Sequence, residues 1–247
     1  MWPSWEQTLI ISATALLEGA VGFDFGLLAV PAMGALLGVR DSVILLSLPN
    51  LAIASSKVLG RKMPSESLLR MMPFIGAGGV GAAVGVLTLL SAPPIALKWG
   101  VGTFVLICAA YSISRLRFQF DPRDETFFAY LAGLISGWLG GVAYAGGPIA
   151  VMYLDSLRMN RTRLVRLMNV SALAFAAVQV AALSGSGNLL PSMAMRAALA
   201  VFPALAGFLI GRRIRGMFSP EIGYTAGLGL MIAAALSLLI FGQDGWK

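Results

Sequence analysis

Two acidic side chains, Glu18 and Asp24, lie within one long apolar stretch of this sequence, where they could take part in proton transfer. Ionisable residues are costly in hydrocarbon and usually have a functional role there. A carboxyl group removed from water favours its protonated form, which suits a proton carrier. Two structural roles are also open: Asp24 could cap a helix that begins at Phe25, and Glu18 could hydrogen-bond to a neighbouring helix.

Glycine clusters interrupt two long apolar stretches, residues 7–39 and 127–157. The first cluster is Gly22-Phe23-Asp24-Phe25-Gly26, and the second runs from Gly140 to Gly147. Each glycine weakens a helix by about 1 kcal/mol relative to alanine and permits positive φ. Each stretch is therefore predicted to be either one long broken helix or a re-entrant hairpin whose tip reaches the middle of a membrane.

A second helical arm is predicted to start after each break, near Gly26 and near Gly146 and Gly147. The N-terminus of a helix exposes unsatisfied N–H groups and partial positive charge, which together bind anions. Neither cluster contains Lys or Arg, so the backbone would have to recognise the anion. The alternative is that the glycines only allow helices to pack closely, as small residues do in membranes.

Other polar and aromatic side chains near the breaks could complete such a site. Asn50 and Asn169 occupy matching places in the helices after the breaks, where an amide can bind substrate or satisfy a carbonyl of the broken helix. Tyr144 could line the pocket, and Phe23 and Phe25 could gate it. Packing is the alternative role for all three aromatic residues.

The composition excludes a soluble fold and most enzyme chemistry. Of the 247 residues, 58% are hydrophobic and 12% are charged, and a typical soluble domain has about twice that share of charge. The sequence has no histidine, and its one cysteine is Cys108. Histidine metal sites, Ser–His or Cys–His nucleophile pairs and an internal disulfide are therefore excluded. We expect an integral membrane protein that is not an enzyme and has no metal and no cofactor.

Six apolar segments are long enough to cross the bilayer as helices, which takes about 20 residues. They are residues 42–60, 67–90, 93–114, 163–184, 190–211 and 221–241. The net charge of +7 comes from Lys and Arg in the short gaps between apolar runs. That position is typical of cytoplasmic loops and not of a nucleic-acid-binding surface. We expect an all-α, multi-pass protein of the cell (inner or cytoplasmic) membrane.

The chain is predicted to consist of two related halves, residues 5–114 and 127–242, in a single transmembrane domain with a basic loop at 115–126 between them. Each half has a broken stretch followed by three apolar segments. Pro73 precedes Gly81 by the same number of residues as Pro203 precedes Gly211. The shared order of such matches favours a duplication of four segments.

Charge favours a hairpin in the second broken stretch. If every stretch crosses once, the 18 Lys and Arg residues divide evenly between the two sides, which conflicts with the positive-inside rule. If the second stretch returns to its own side, the basic loops 115–126, 157–166 and 212–216 all face the cytoplasm. The basic residues left on the other side are Arg40, Lys98, Arg196 and Lys247. Two hairpins, each followed by three crossings, would make the repeats inverted, which is a transporter architecture.

Two glycine-rich motifs give a resemblance to a known family. They are GAVGFDFGLLAVPAMGALLGV near the start and AGLISGWLGGVAYAGGPIAVMYLDSLRMNRT after the central basic loop. With the duplicated layout, they make the chain resemble the TauE/SafE (TSUP) family of membrane transporters over nearly its whole length. The resemblance implies export or uptake of sulfite, sulfonates and related sulfur-containing acids. Asp24 between two phenylalanines is a departure, since the family often has glycine-rich sequence there.

Together, these observations predict a membrane transporter for a small anion such as sulfite, sulfoacetate or a taurine-like sulfonate. Protons are a candidate coupling ion through Asp24 and Glu18, the lipid bilayer is the other partner, and a homodimer is one option for assembly. An anion channel is the main alternative, because broken helices also build pores. A membrane-embedded enzyme is less well supported, since no catalytic constellation is present in the sequence.

Overall fold

The computed structural model describes residues 3–59, 65–114, 125–157, 159–188, 191–217 and 220–242, and the regular structure in these ranges is α-helical. Most of the predicted basic loop 115–126 and residue Lys247 lie outside the described residues. The helices in the described ranges are α1 (Trp5–Val21), α2 (Phe25–Leu37), α3 (Val39–Val58), α4 (Ser65–Ser91), α5 (Pro94–Ser114), α6 (Glu125–Ala143), α7 (Gly147–Ser156), α8 (Arg161–Gly185), α9 (Pro191–Ile214) and α10 (Pro220–Phe241).

Six of the described helices are long and apolar enough to cross a membrane: α4, α5, α6, α8, α9 and α10. Five of these correspond to predicted segments. The sixth, α6, was predicted to be one arm of a broken stretch, and it proves to be a helix of full membrane-spanning length. The predicted segment 42–60 is α3, which is helical but less apolar, since it contains Pro49, Asn50 and Lys57. The protein is therefore an all-α, multi-pass membrane protein, as the composition predicts.

The breaks are shorter than the glycine clusters predict. The first break leaves residues 22–24 between α1 and α2, and the second leaves residues 144–146 between α6 and α7. Gly140 and Gly141 were predicted to lie in the second break, but α6 continues through both of them. Gly141 lies against the backbone of α4, so this glycine serves close packing inside a helix.

The chain forms two compact units, each combining helices from both predicted halves. The first unit consists of Met1–Ile53, Ala92–Ser114 and Ser186–Lys247. The second unit consists of Ala54–Ser91 and Arg115–Gly185. The first break therefore belongs to the first unit and the second break to the second unit.

A glycine-lined interface joins α4 and α6 in the second unit. Gly133 lies against the backbone of Phe74, and Gly137 lies against the backbone of Gly78, with no room for a β-carbon at either glycine. Small residues allow membrane helices to approach each other this closely. The contacts advance in the same direction along both helices, so α4 and α6 run parallel.

The first unit has a corresponding interface between α1 and α9. Gly207 lies against the backbone of Ser12, and Gly211 lies against the backbone of Leu16, again with no room for a β-carbon. These contacts also advance in the same direction, so α1 and α9 run parallel. Thus α1, the helix before the first break, packs against α9. In the same way α6, the helix before the second break, packs against α4.

The two interfaces share one register. Two glycines of α9 and two glycines of α4 face residues that have the same spacing on the partner helix. Gly207 and Gly211 of α9 face Ser12, Leu16 and Gly19 of α1. Gly81 and Gly85 of α4 face Leu134, Trp138 and Gly141 of α6. By these contacts, Gly81 of α4 is equivalent to Gly207 of α9. The sequence spacing had matched Gly81 with Gly211, which lies one helical turn further along α9. The duplication stays a prediction, which this shared register supports.

Helix α10 holds α2 after the first break. Gly227 contacts the ring of Phe23, and Gly34 contacts the side chain of Leu238. Because these contacts advance in the same direction, α2 and α10 run parallel. The start of α2 is thereby packed against the first turns of α10.

Gly137→Val should destabilise the protein strongly, because a β-carbon at residue 137 would overlap the carbonyl oxygen of Gly78. Overpacking typically costs about 1–3 kcal/mol, and we expect the upper end because backbone atoms cannot rotate away. Gly140→Val is the matched control on the same helix, since a β-carbon there meets nothing within 4 Å. Thermal unfolding of both variants in detergent measures the difference, and equal unfolding temperatures would contradict close α4–α6 packing.

Candidate functional site

The first break ends α1 and starts α2 with two local hydrogen bonds. Gly22 has a φ of 84°, which favours glycine, and its N–H donates to the carbonyl of Glu18 at 2.9 Å. Asp24 is the N-cap of α2, where its carboxylate accepts a hydrogen bond from the N–H of Gly26 at 3.0 Å. The start of α2 therefore already has an anionic partner from its own chain.

The aromatic residues of the first break pack into the first unit. Phe25 is completely buried, and Phe23 is half-buried with its ring centroid 6.4 Å from that of Tyr224. Glu18 is also buried, at 4% exposure, one helical turn before Gly22. Asn50 is half-buried on α3 directly after Pro49. The gating role suggested for the two phenylalanines stays a prediction.

The second break begins with an unusual backbone conformation at Tyr144, whose φ is 56°. A bulky residue in this region is uncommon, costs about 1–3 kcal/mol, and is found mostly at functional sites. The N–H of Tyr144 donates to the carbonyl of Gly140 at 2.9 Å, and that of Ala145 donates to the carbonyl of Leu139 at 3.2 Å. Tyr144, Ala145 and Gly146 are all buried, so the second break is a buried and fixed turn.

After this turn the chain runs back along α6. The hydroxyl of Ser136 donates to the carbonyl of Gly146 at 2.8 Å, and Gly146 lies so close to the Ser136 backbone that it has no room for a β-carbon. Further along α7, Tyr153 stacks on Phe74 with ring centroids 5.1 Å apart, and Phe74 contacts Gly133 of α6. The number of times the chain crosses the bilayer stays a prediction.

Two buried polar side chains near the second break were not identified from the sequence. Ser136, completely buried, binds the carbonyl of Gly146. The amide nitrogen of Gln179, which is 2% exposed on α8, donates to the carbonyl of Gly141 at 3.0 Å. Each is a polar residue within an apolar helix, and this pattern in the sequence could have identified both residues. Gln179 satisfies the carbonyl of Gly141 in this apolar environment, and Ser136 adds a second hydrogen bond to the carbonyl of Gly146, which also accepts from the N–H of Ala150.

Asn169 does not take this role. It is half-buried on α8, and Gln179 lies about 15 Å further along that helix, at 1.5 Å per residue. Gln179 is thus the α8 amide that reaches the carbonyl of Gly141. The predicted contribution of Asn169 to a binding site remains a prediction, and the structure does not bring it to the same carbonyl.

The start of α7 differs from the start of α2 because no side chain among the described residues caps it. The N–H of Ala150 donates to the carbonyl of Gly146 at 3.1 Å, and Pro148 has no N–H. The N–H groups of Gly147 and Ile149 are therefore the first-turn donors that helix bonding leaves over. The carbonyls of Gly141 and Gly146, on the two sides of the turn, accept hydrogen bonds from Gln179 and Ser136.

Six apolar spans among the described helices, with helix breaks after α1 and after α6, define a multi-pass membrane protein. The chain belongs to the sulfite exporter TauE/SafE family, whose family model matches residues 8–238. The match includes both breaks and both glycine-lined interfaces. Members of this family are membrane transporters and not enzymes. Comparisons with curated proteins and with solved structures gave no match.

Proposed function

We propose that this protein transports a small sulfur-containing oxyanion or organosulfonate, such as sulfite, sulfoacetate or a taurine-like compound. The observation that carries the proposal is the half-buried start of α7, which follows a buried turn and has N–H donors and no capping side chain. Family membership supports a sulfur oxyanion as the substrate class.

The electrostatics of the second break suit an anion that must be released again. The partial positive charge of a helix N-terminus attracts an oxyanion, and low dielectric strengthens the attraction. No Lys or Arg is present between Gly140 and Ser156, so the site lacks a full counter-charge. Binding by N–H groups alone gives moderate affinity, which allows the substrate to leave on the other side.

The first break is proposed to supply coupling to protons. Asp24 accepts from the N–H of Gly26, and Glu18 is buried on the preceding helix. Burial in an apolar region favours protonation of a carboxyl group, and a group that gains and loses a proton during transport couples the two fluxes. An inner-membrane location, which the basic loops favour, and a homodimer belong to the same proposal.

Flux into liposomes that contain the purified protein tests the proposed function. We expect saturable uptake of at least one compound among sulfite, thiosulfate, taurine and sulfoacetate, and no uptake of urea or glycerol. An imposed proton gradient should raise the internal concentration of that compound above the external one. Uptake that stops at equal concentrations would identify an anion channel, and absence of uptake for every anion would overturn the proposal.

A further inference from the structure

An arginine of α4 is bound to a carboxylate of α6 at one end of the second unit. The side-chain atoms Nε and Nη2 of Arg70 donate to the two carboxylate oxygens of Glu125, each at 2.6 Å. This two-point geometry is the preferred way in which arginine binds carboxylates and other planar or tetrahedral oxyanions. Arg70 therefore shows how an arginine at this position of the interface binds an oxyanion.

Arg196 is the equivalent arginine in the first unit. It precedes Gly207 by the same number of residues as Arg70 precedes Gly81, and these two glycines have equivalent contacts in the shared register. Arg196 of α9 likewise contacts the partner helix of its interface, α1, because its Nη2 donates to the side-chain oxygen of Gln7 at 3.1 Å. The partner there is a neutral amide, whereas Arg70 has a carboxylate.

One donor of Arg196 has no acceptor as a result. Its Nε is buried and makes no hydrogen bond to the described residues. The oxygen of Gln7 is already shared, since it also accepts from the N–H of Ser4 at 3.1 Å. A buried guanidinium N–H without an acceptor is costly, which makes it a donor available for a ligand.

Two further charged residues lie near Arg196, at the start of α3. Asp41 is close enough to interact electrostatically with both Arg40 and Arg196. Arg40 donates to the carbonyl of Ala92 at 2.9 Å. Of these three residues two are cationic and one is anionic, and that balance favours an additional anion.

We propose that Arg196 forms a second oxyanion subsite, separate from the second break, at the end of the first unit where α1 and α9 begin. A sulfonate or sulfite would bind Arg196 through Nε and Nη2, as Glu125 binds Arg70. The identification of this ligand with the transported anion rests on the proposed function. The subsite would hold the anion where it enters or leaves, on the side that the charge distribution predicts to be opposite the basic loops.

The N–H resonance of Nε in the full-length protein, labelled with ¹⁵N-arginine, tests this subsite directly. Arg196→Lys assigns the resonance of Arg196. Sulfoacetate and sulfite should shift that resonance saturably, and chloride at equal ionic strength should not. Gln7→Glu places a carboxylate beside Arg196, as Glu125 lies beside Arg70, and should weaken the response at least tenfold.

Two more variants separate this proposal from the proposed function. Gly146→Val should leave the Arg196 response intact while transport is lost, because residue 146 belongs to the second unit. Glu125→Gln should make the Nε resonance of Arg70 respond to sulfoacetate, which provides a test even if Gln7→Glu does not fold. No shift of Arg196 with either oxyanion, or an equal shift with chloride, would overturn the subsite even if the liposomes transport sulfite.

Discussion

Gly146→Val is expected to reduce transport of the substrate anion at least about a hundredfold. A β-carbon at residue 146 would overlap the backbone carbonyl oxygen of Ser136, so the turn must move away from α6. The displacement also breaks the hydrogen bond from Ser136 to the carbonyl of Gly146 and moves the N–H groups at the start of α7. Misplacement of a binding group by about an ångström can cost about a hundredfold in rate.

The protein should still fold, because the variant leaves the α4–α6 interface at Gly133 and Gly137 unchanged. Gly140→Val is the matched control, since it adds the same side chain where a β-carbon meets nothing within 4 Å. Initial uptake rates in liposomes, normalised to the amount of folded protein, compare the two variants. Normal transport by Gly146→Val would mean that the substrate does not bind at the second break.

Asp24→Asn is expected to bind the substrate but to lose the response of transport to a proton gradient. Asparagine is as good an N-cap as aspartate, so the hydrogen bond to the N–H of Gly26 can be kept. The amide cannot gain or release a proton, so proton-driven accumulation should fall to the equilibrium level. The loss is measured as the accumulation of substrate in liposomes at one external pH, with and without a pH difference across the membrane.

Asp24→Ala separates capping from coupling, because it removes both functions. Loss of an N-cap costs about 1 kcal/mol of stability, so Asp24→Ala should unfold at a lower temperature than Asp24→Asn. If Asp24→Asn accumulates substrate as the parent does, the role of Asp24 is the cap seen at the start of α2. Glu18, buried one turn before the break, is then the next candidate for proton coupling.

The sequence predicts the membrane class and the presence of both breaks, because the apolar excess and the glycine clusters are strong local signals. It does not predict where the second break begins. Glycine both interrupts helices and allows them to pack closely, and the sequence does not distinguish these roles at Gly140 and Gly141. The backbone of α4 lies against Gly141, and that tertiary contact is compatible with a continuous helix.

The candidate site was only partly predictable for the same reason. Asp24 was recognised as either a proton carrier or a cap, and the structure gives it the geometry of a cap. Asn169 was chosen because its position matches that of Asn50, but Gln179 is the amide that binds a carbonyl near the second break. Which polar residue of α8 faces that carbonyl depends on how α8 packs in the second unit, and the apolar pattern of a membrane helix does not encode that orientation strongly.

The central claim is that the N–H groups at the start of α7 bind the substrate anion. Amide resonances of the full-length protein labelled with ¹⁵N-glycine, recorded during titration with sulfoacetate or sulfite at neutral pH, test it most directly. The resonance of Gly147 should shift saturably, while that of Gly26 should stay unchanged because its N–H is already bonded to Asp24. An unchanged Gly147 resonance at anion concentrations that saturate transport would contradict the claim.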